Sequence, residues 1–251
     1  MSPTVSTIVA YLFIYLVYLL GKLVLCLRYG IYDRHIFLGY GEKPAFTFSL
    51  SVVNISVGLF IPLPYFARFY SYQPDGSKGR MKMAWEYADR SILHRLLINF
   101  GGAFSMMLMA IVLFLILGFA QEESILKAFR YGFLEPFRLV WVNIQALYIL
   151  IFGGIADSDS LSGPVRMSQL FGEWSHLRFL RITGVILAGF VFYEFLPFPK
   201  TAMTRTIPLI TEGLFNKPFN YKLYHRIDQI FWGLIIILFT WTIVKDISQL
   251  L

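Results

Sequence analysis

Charge is scarce in this sequence: 15% of its 251 residues are Asp, Glu, Lys or Arg, where soluble domains carry about a quarter. Cysteine is reduced to Cys26 alone, so no internal disulfide can form and a disulfide-stapled secreted fold is excluded. Histidine occurs four times, at His35, His94, His176 and His225, and no two share the i,i+4 spacing of a helical metal site. Repeats and low-complexity tracts are missing as well, which excludes a disordered or solenoid chain. What fills the sequence is apolar, 57% of it, with several long segments that have no polar face to turn toward water. The chain reads as an integral membrane protein. Its net charge of +7 is then a matter of loop topology, not of a nucleic-acid partner.

A crossing needs about 20 apolar residues, because each adds about 1.5 Å against a hydrocarbon core of roughly 30 Å. Four stretches qualify, near 8–27, 96–119, 180–198 and 228–247; Lys22 interrupts the first and Glu194 the third. The first is not a cleaved signal peptide, since it lacks a basic start and a small-residue cleavage site. A fifth stretch, 137–155, is diluted by Asn143 and Gln145 and ends at Gly153 and Gly154. It is expected to be an interfacial or short membrane helix before the third span.

Between Arg28 and Arg95 nine basic residues face five acids, and from Lys200 to Arg226 five face Glu212 alone. The positive-inside rule places both loops in the cytoplasm and both termini on the far side of the membrane. Within the first loop, expected to be strand-rich over 36–72, Phe46 to Tyr72 alternates β-branched, aromatic and small residues punctuated by Pro62 and Pro64, which predicts short strands or a hairpin. The fold class expected is a mainly α polytopic protein, one domain over 1–251, with a strand-containing loop after the first span.

Four segments in order resemble the site-2 protease family, intramembrane zinc metalloproteases. Glu194, Pro197, Pro199 and Ala202, followed by Glu212, Lys217 and Pro218, align with the family pattern N-x-x-P-x-P-x-L-D-G-G and its E-A-x-x-G-K-P continuation. Leu161 to Val165 resembles L-S-G-P-[IV]; Gly101, Gly102 and Ala103 sit where the second span carries A-A-G-P-x-A-N; Tyr18 to Lys22 occupies the place of H-E-x-G-H. The segment before Leu161 is too short for the PDZ domains that many relatives insert.

The resemblance implies a zinc held by two histidines one turn apart and a third-span aspartate, with a glutamate as general base. Here those positions read Tyr18, Lys22, Ala202 and Leu19, and the family asparagine becomes Glu194. No ligand and no base remains, so the expectation is no metal, no cofactor and no catalysis. A serine–histidine dyad or a pair of aspartates at membrane depth is missing too. Lys22 and Glu194, costly charges in apolar spans, are expected either to form a buried pair beside Tyr18, or to part, with Lys22 snorkelling to the interface. Gly101 to Ala103 should permit close helix approach. Pro197 and Pro199 bend the third span beside the family's substrate cleft, which makes Lys22, Glu194, Pro197 and Pro199 the candidate cleft residues.

The function expected is a pseudoprotease that binds or scaffolds a membrane-protein partner through the cleft or the strand-rich loop. A structural subunit of a larger inner-membrane complex, and an accessory part of a transporter with Lys22, Glu194, Lys200 and Arg205 lining a polar path, remain the alternatives.

Overall fold

In the computed structural model the described residues are 3–31, 35–40, 44–49, 54–58, 60–66, 90–121, 124–152, 175–198 and 201–215, with single positions 226, 229, 230, 233, 236, 237, 240 and 244. Helices dominate. α1 (Pro3–Arg28), α2 (Ile92–Gln121), α3 (Ile125–Phe152), α4 (His176–Glu194) and α5 (Ala202–Phe215) follow in chain order, with strands β1 (His35–Tyr40), β2 (Phe46–Ser49), β3 (Asn54–Val57) and β4 (Phe60–Phe66) between α1 and α2. Three of the helices, α1, α2 and α4, are long and apolar enough to cross a membrane. Of the fourth expected span, 228–247, only isolated positions are described; Gln229, Ile230, Gly233, Ile236, Ile237, Thr240 and Val244 are helical and exposed.

The three spans share one core: Ile14, Val17 and Tyr18 of α1, Met106, Ala110 and Leu113 of α2, Leu187 and Val191 of α4. Leu12, Leu16, Leu20 and Val24 of α1 point away from it, the pattern of a helix whose outer face meets lipid rather than water. α2 is the central element. Ser105 donates to the Val17 carbonyl, and a Cβ at Gly102 would overlap the Tyr18 ring, so α1 and α2 run antiparallel in close contact. Phe114 against Gly184 and Phe100 stacked on Phe195 at 5.2 Å set α4 antiparallel to α2 on another side.

α3 departs from expectation in extent. It begins at Ile125, some twelve residues before the predicted start at 137, and it runs antiparallel alongside α2. A Cβ at Gly118 would lie 2.7 Å from the Ala128 carbonyl oxygen, and one at Gly132 would meet Leu115 at 2.5 Å. Val140, about two turns beyond Gly132, packs on the shared core. Small residues at Gly118, Ala128 and Gly132 permit this approach; the hydropathy dip at Asn143 and Gln145 drew attention to the wrong half of the helix. Asn143 turns its amide to the Leu139 carbonyl at 2.8 Å, which satisfies it within its own helix.

The strand-rich loop forms a four-stranded sheet in the order β2-β3-β1-β4. β1 pairs parallel to β3 and antiparallel to β4, and β2 pairs antiparallel to β3. The prolines expected as punctuation lie inside β4 instead, Pro64 opposite Leu38. A strand at a sheet edge tolerates them because only one of its sides needs donors, and Pro62 and Pro64, two apart, share a side. Ile36 of β1 packs on a small cluster of Cys26, Ile31 and Ile98, which fixes the sheet beneath the junction of α1 and α2.

Candidate functional site

The predicted site residues come from α1, the end of α4 and the start of α5. α4 stops at Glu194 rather than running to 198. The Phe195 and Leu196 amides fold back onto the carbonyls of Phe192 and Tyr193, tightening the last turn ahead of Pro197, whose ring disfavours helix before it. Pro197 itself is exposed in the bend. Pro199 lies outside the described residues, as do Lys200, 161–165, Lys217 and Pro218.

α5 was not expected, because it lies within the basic stretch from Lys200 to Arg226 that read as a loop. Thr201 starts it: its hydroxyl oxygen accepts from the Thr204 amide at 3.4 Å and the Thr204 hydroxyl lies 3.1 Å away, the side-chain capping typical of a helix N-terminus. The first helical amide, Ala202 N–H, donates to Glu194 Oε2 at 2.7 Å. The Glu194 carboxylate therefore closes the gap between the end of α4 and the start of α5, where free amides and the helix dipole favour a negative charge. At the far side of α5, Arg95 of α2 pairs with Glu212 at 3.4 Å.

The remaining positions surround that carboxylate. Tyr18 and Ala202 are fully buried, and Lys22 and Glu194 are each 1% exposed. Leu19 is half-buried. Lys22 does not snorkel. Its Nζ sits 4.6 Å from the centre of the Tyr18 ring, a cation–π contact, and has no hydrogen-bond partner among the described residues. Of the buried Lys22–Glu194 ion pair expected from the sequence, both partners are buried and act on each other within one cluster that Tyr18 also joins, with no hydrogen bond from Lys22 Nζ among the described residues. Arg205, which the sequence reading grouped with Lys22 and Glu194 only in the transporter alternative, is 7% exposed and interacts with both. Its signal was there to see: Arg205 stands one helical turn after Ala202 once a helix is recognised in this segment.

Chemically, the cluster consists of two cations, one carboxylate already bonded to a backbone amide, a phenol and a methyl side chain. That set does not fit a divalent zinc ion, which needs deprotonated donors and is repelled by an ammonium and a guanidinium. Among the described residues no three His, Cys, Asp or Glu side chains group together as ligands.

Around this centre two other features stand out. β2 presents its four residues to solvent, with Phe46 55% and Phe48 50% exposed and their rings 5.5 Å apart. Trp141, Ile144, Gln145 and Tyr148 line a shallow groove on the outer side of α3. Compared with known families, residues 47–201 match the model of peptidase family M50. The matched segment begins after α1 and ends one residue before Ala202, so Tyr18, Leu19, Lys22 and Ala202 all fall outside it. No curated protein matches the chain.

Proposed function

Because the chain belongs to peptidase family M50, matched over 47–201, we propose that it is a non-catalytic member of that family: a pseudoprotease that binds or scaffolds a membrane-protein partner. The observation that carries this reading is the Lys22 ammonium, buried where the resemblance puts the family's second histidine, with Arg205 and Glu194 around it. Water activation requires a cation at that place; here the protein supplies a fixed positive charge that has no open coordination site.

Partner contact is assigned to the sheet. Its β4 edge carries Pro62 and Pro64, which cannot donate hydrogen bonds, whereas the β2 edge offers exposed backbone flanked by Phe46 and Phe48. An extended partner segment can add there by main-chain pairing. In this reading the sheet and the polar end of the bundle face the cytoplasm of a bacterial cell, and both termini are periplasmic.

The complete filling of the centre by Tyr18, Lys22 and Glu194 also favours a second reading, a structural subunit of a larger inner-membrane complex. Purification from native membranes in mild detergent, with mass spectrometry of copurifying proteins and metal analysis of the same sample, separates the possibilities. A pseudoprotease yields no stoichiometric zinc and a partner that is lost when Thr47 is changed to proline. A structural subunit keeps its neighbours in fixed ratio despite that change. Stoichiometric zinc, or chelator-sensitive cleavage of any membrane polypeptide, ends the proposal.

A further inference from the structure

Hydropathy does not make α3 a membrane span: Lys127, Arg130, Glu135 and Arg138 crowd its first half, and the sequence is compatible with a helix on the membrane surface or inside it. Packing separates the two. A surface helix lies in the plane of the bilayer, across the direction of the spans. α3 runs along α2 instead. Its Ala128 and Gly132 meet Gly118 and Leu115, and Tyr131 stands edge-on to Phe114 at 5.8 Å. Val140 reaches the core that Tyr18, Met106 and Leu187 share. From Ala128 to Val140 is about 18 Å of helix, so α3 descends from near the end of α2 to about the level of Met106, the middle of that 30-residue span.

On the outer side of α3, Phe129, Phe133, Phe137 and Trp141 recur every four residues, each about half exposed. A contiguous aromatic stripe of this length is not left to water. It continues the lipid-facing surface of α2: Phe129 packs edge-on against Phe119 at 5.3 Å, and Phe119 belongs to the exposed row of Leu108, Val112 and Ile116.

From this geometry we infer that α3 is embedded in the bilayer and that lipid hydrocarbon is the occupant of its Phe129–Trp141 face. The charges fit that placement. Lys127 and Arg130 lie in the first two turns, where their long stems extend to the headgroups. Arg138, at about the level of Leu108, donates to Glu135 at 3.3 Å, so the deepest cation is offset by a carboxylate on its own helix. Packed against both α2 and α4, α3 covers the flank between them. This placement stands whether or not the chain is a pseudoprotease.

The test uses the full chain, with Cys26→Ser, in phosphatidylcholine vesicles. Phe129→Cys, Phe133→Cys, Phe137→Cys and Trp141→Cys carry a nitroxide one at a time, and Val112→Cys and Leu108→Cys serve as depth references on α2. Electron paramagnetic resonance reads collisions with oxygen, which concentrates in hydrocarbon, and with a nickel chelate confined to water. The oxygen-to-nickel ratio should climb from 129 to 141, each step about 6 Å deeper, with 133 matching 112 and 137 matching 108. A ratio that stays flat along the four positions is the profile of a surface helix and overturns the inference. Low collision with both reagents overturns it too, because a second copy or another protein then covers the face.

Glu135→Gln adds a readout that a surface helix would not move. With Arg138 unpaired, the label at 137 should shift toward water by about 5 Å, one helical turn. An unchanged depth in the folded variant overturns the placement of the pair within the hydrocarbon. Should that variant fail to fold, the depth profile of the parent series decides by itself.

Discussion

Replacing Glu194 by glutamine leaves shape and hydrogen bonding nearly intact, because the amide oxygen can still accept from Ala202 N–H across the 2.7 Å now spanned by Oε2. What changes is charge. Lys22 and Arg205, 1% and 7% exposed, lose the carboxylate that acts on both of them. Deleting one partner of a buried ionic group costs about 3 to 5 kcal/mol, and exchanging a charged for a neutral acceptor at Ala202 adds about 1 kcal/mol. The lower figure alone raises the unfolding equilibrium by more than about a hundredfold. Lys22→Met acts in the opposite direction: it leaves Arg205 and Glu194 as a balanced pair and takes an unsatisfied ammonium out of the interior, so stability should hold or rise. The double variant should fall between Glu194→Gln and the wild type. Cys26 provides the readout, since it is the chain's single cysteine, is 1% exposed and lies one turn beyond Lys22. Its rate of maleimide labelling in detergent measures opening of this end of the bundle. Equal labelling of Glu194→Gln and wild type, or a loss in Lys22→Met as large as in Glu194→Gln, would refute the charge accounting.

Three further outcomes follow from the packing. Gly102→Ala drives a methyl into the Tyr18 ring and should cost about 1 to 3 kcal/mol by overpacking; a Tyr18→Leu background that fails to relieve it would argue against this contact. Thr201→Ala removes the α5 cap at about 1 kcal/mol, visible as a lower thermal midpoint without change in membrane insertion. Arg95→Gln breaks a pair whose glutamate side is 40% exposed, so the loss should stay within about 1 kcal/mol and shrink in high salt.

Much of the fold could be seen in the sequence because the bilayer imposes a one-dimensional rule: uncharged runs of sufficient length become spans. α1, α2 and α4 were found that way, and alternation of β-branched, aromatic and small residues from Phe46 onward marked the region of β2, β3 and β4. α5 escaped because its threonines and Arg205, within the basic stretch from Lys200 to Arg226, satisfy the compositional definition of a loop, and only the Thr201 cap and the Glu194 bridge give it away. The early half of α3 escaped for a related reason. Lys127, Arg130, Glu135 and Arg138 suppress its hydropathy, whereas what places the helix is the close fit of Gly118, Ala128 and Gly132.

The residue changes at Tyr18, Leu19, Lys22 and Ala202, and the two intramembrane charges, were fixed by the chain itself, since each is a statement about which atoms exist at which positions. How those charges are satisfied was decided only in three dimensions. Glu194 faces a backbone amide eight residues on, Lys22 lies on an aromatic ring, and Arg205 enters from a helix that composition had hidden. Side-chain partnership depends on angles and distances across three separate helices, and hydropathy along the sequence carries no record of them.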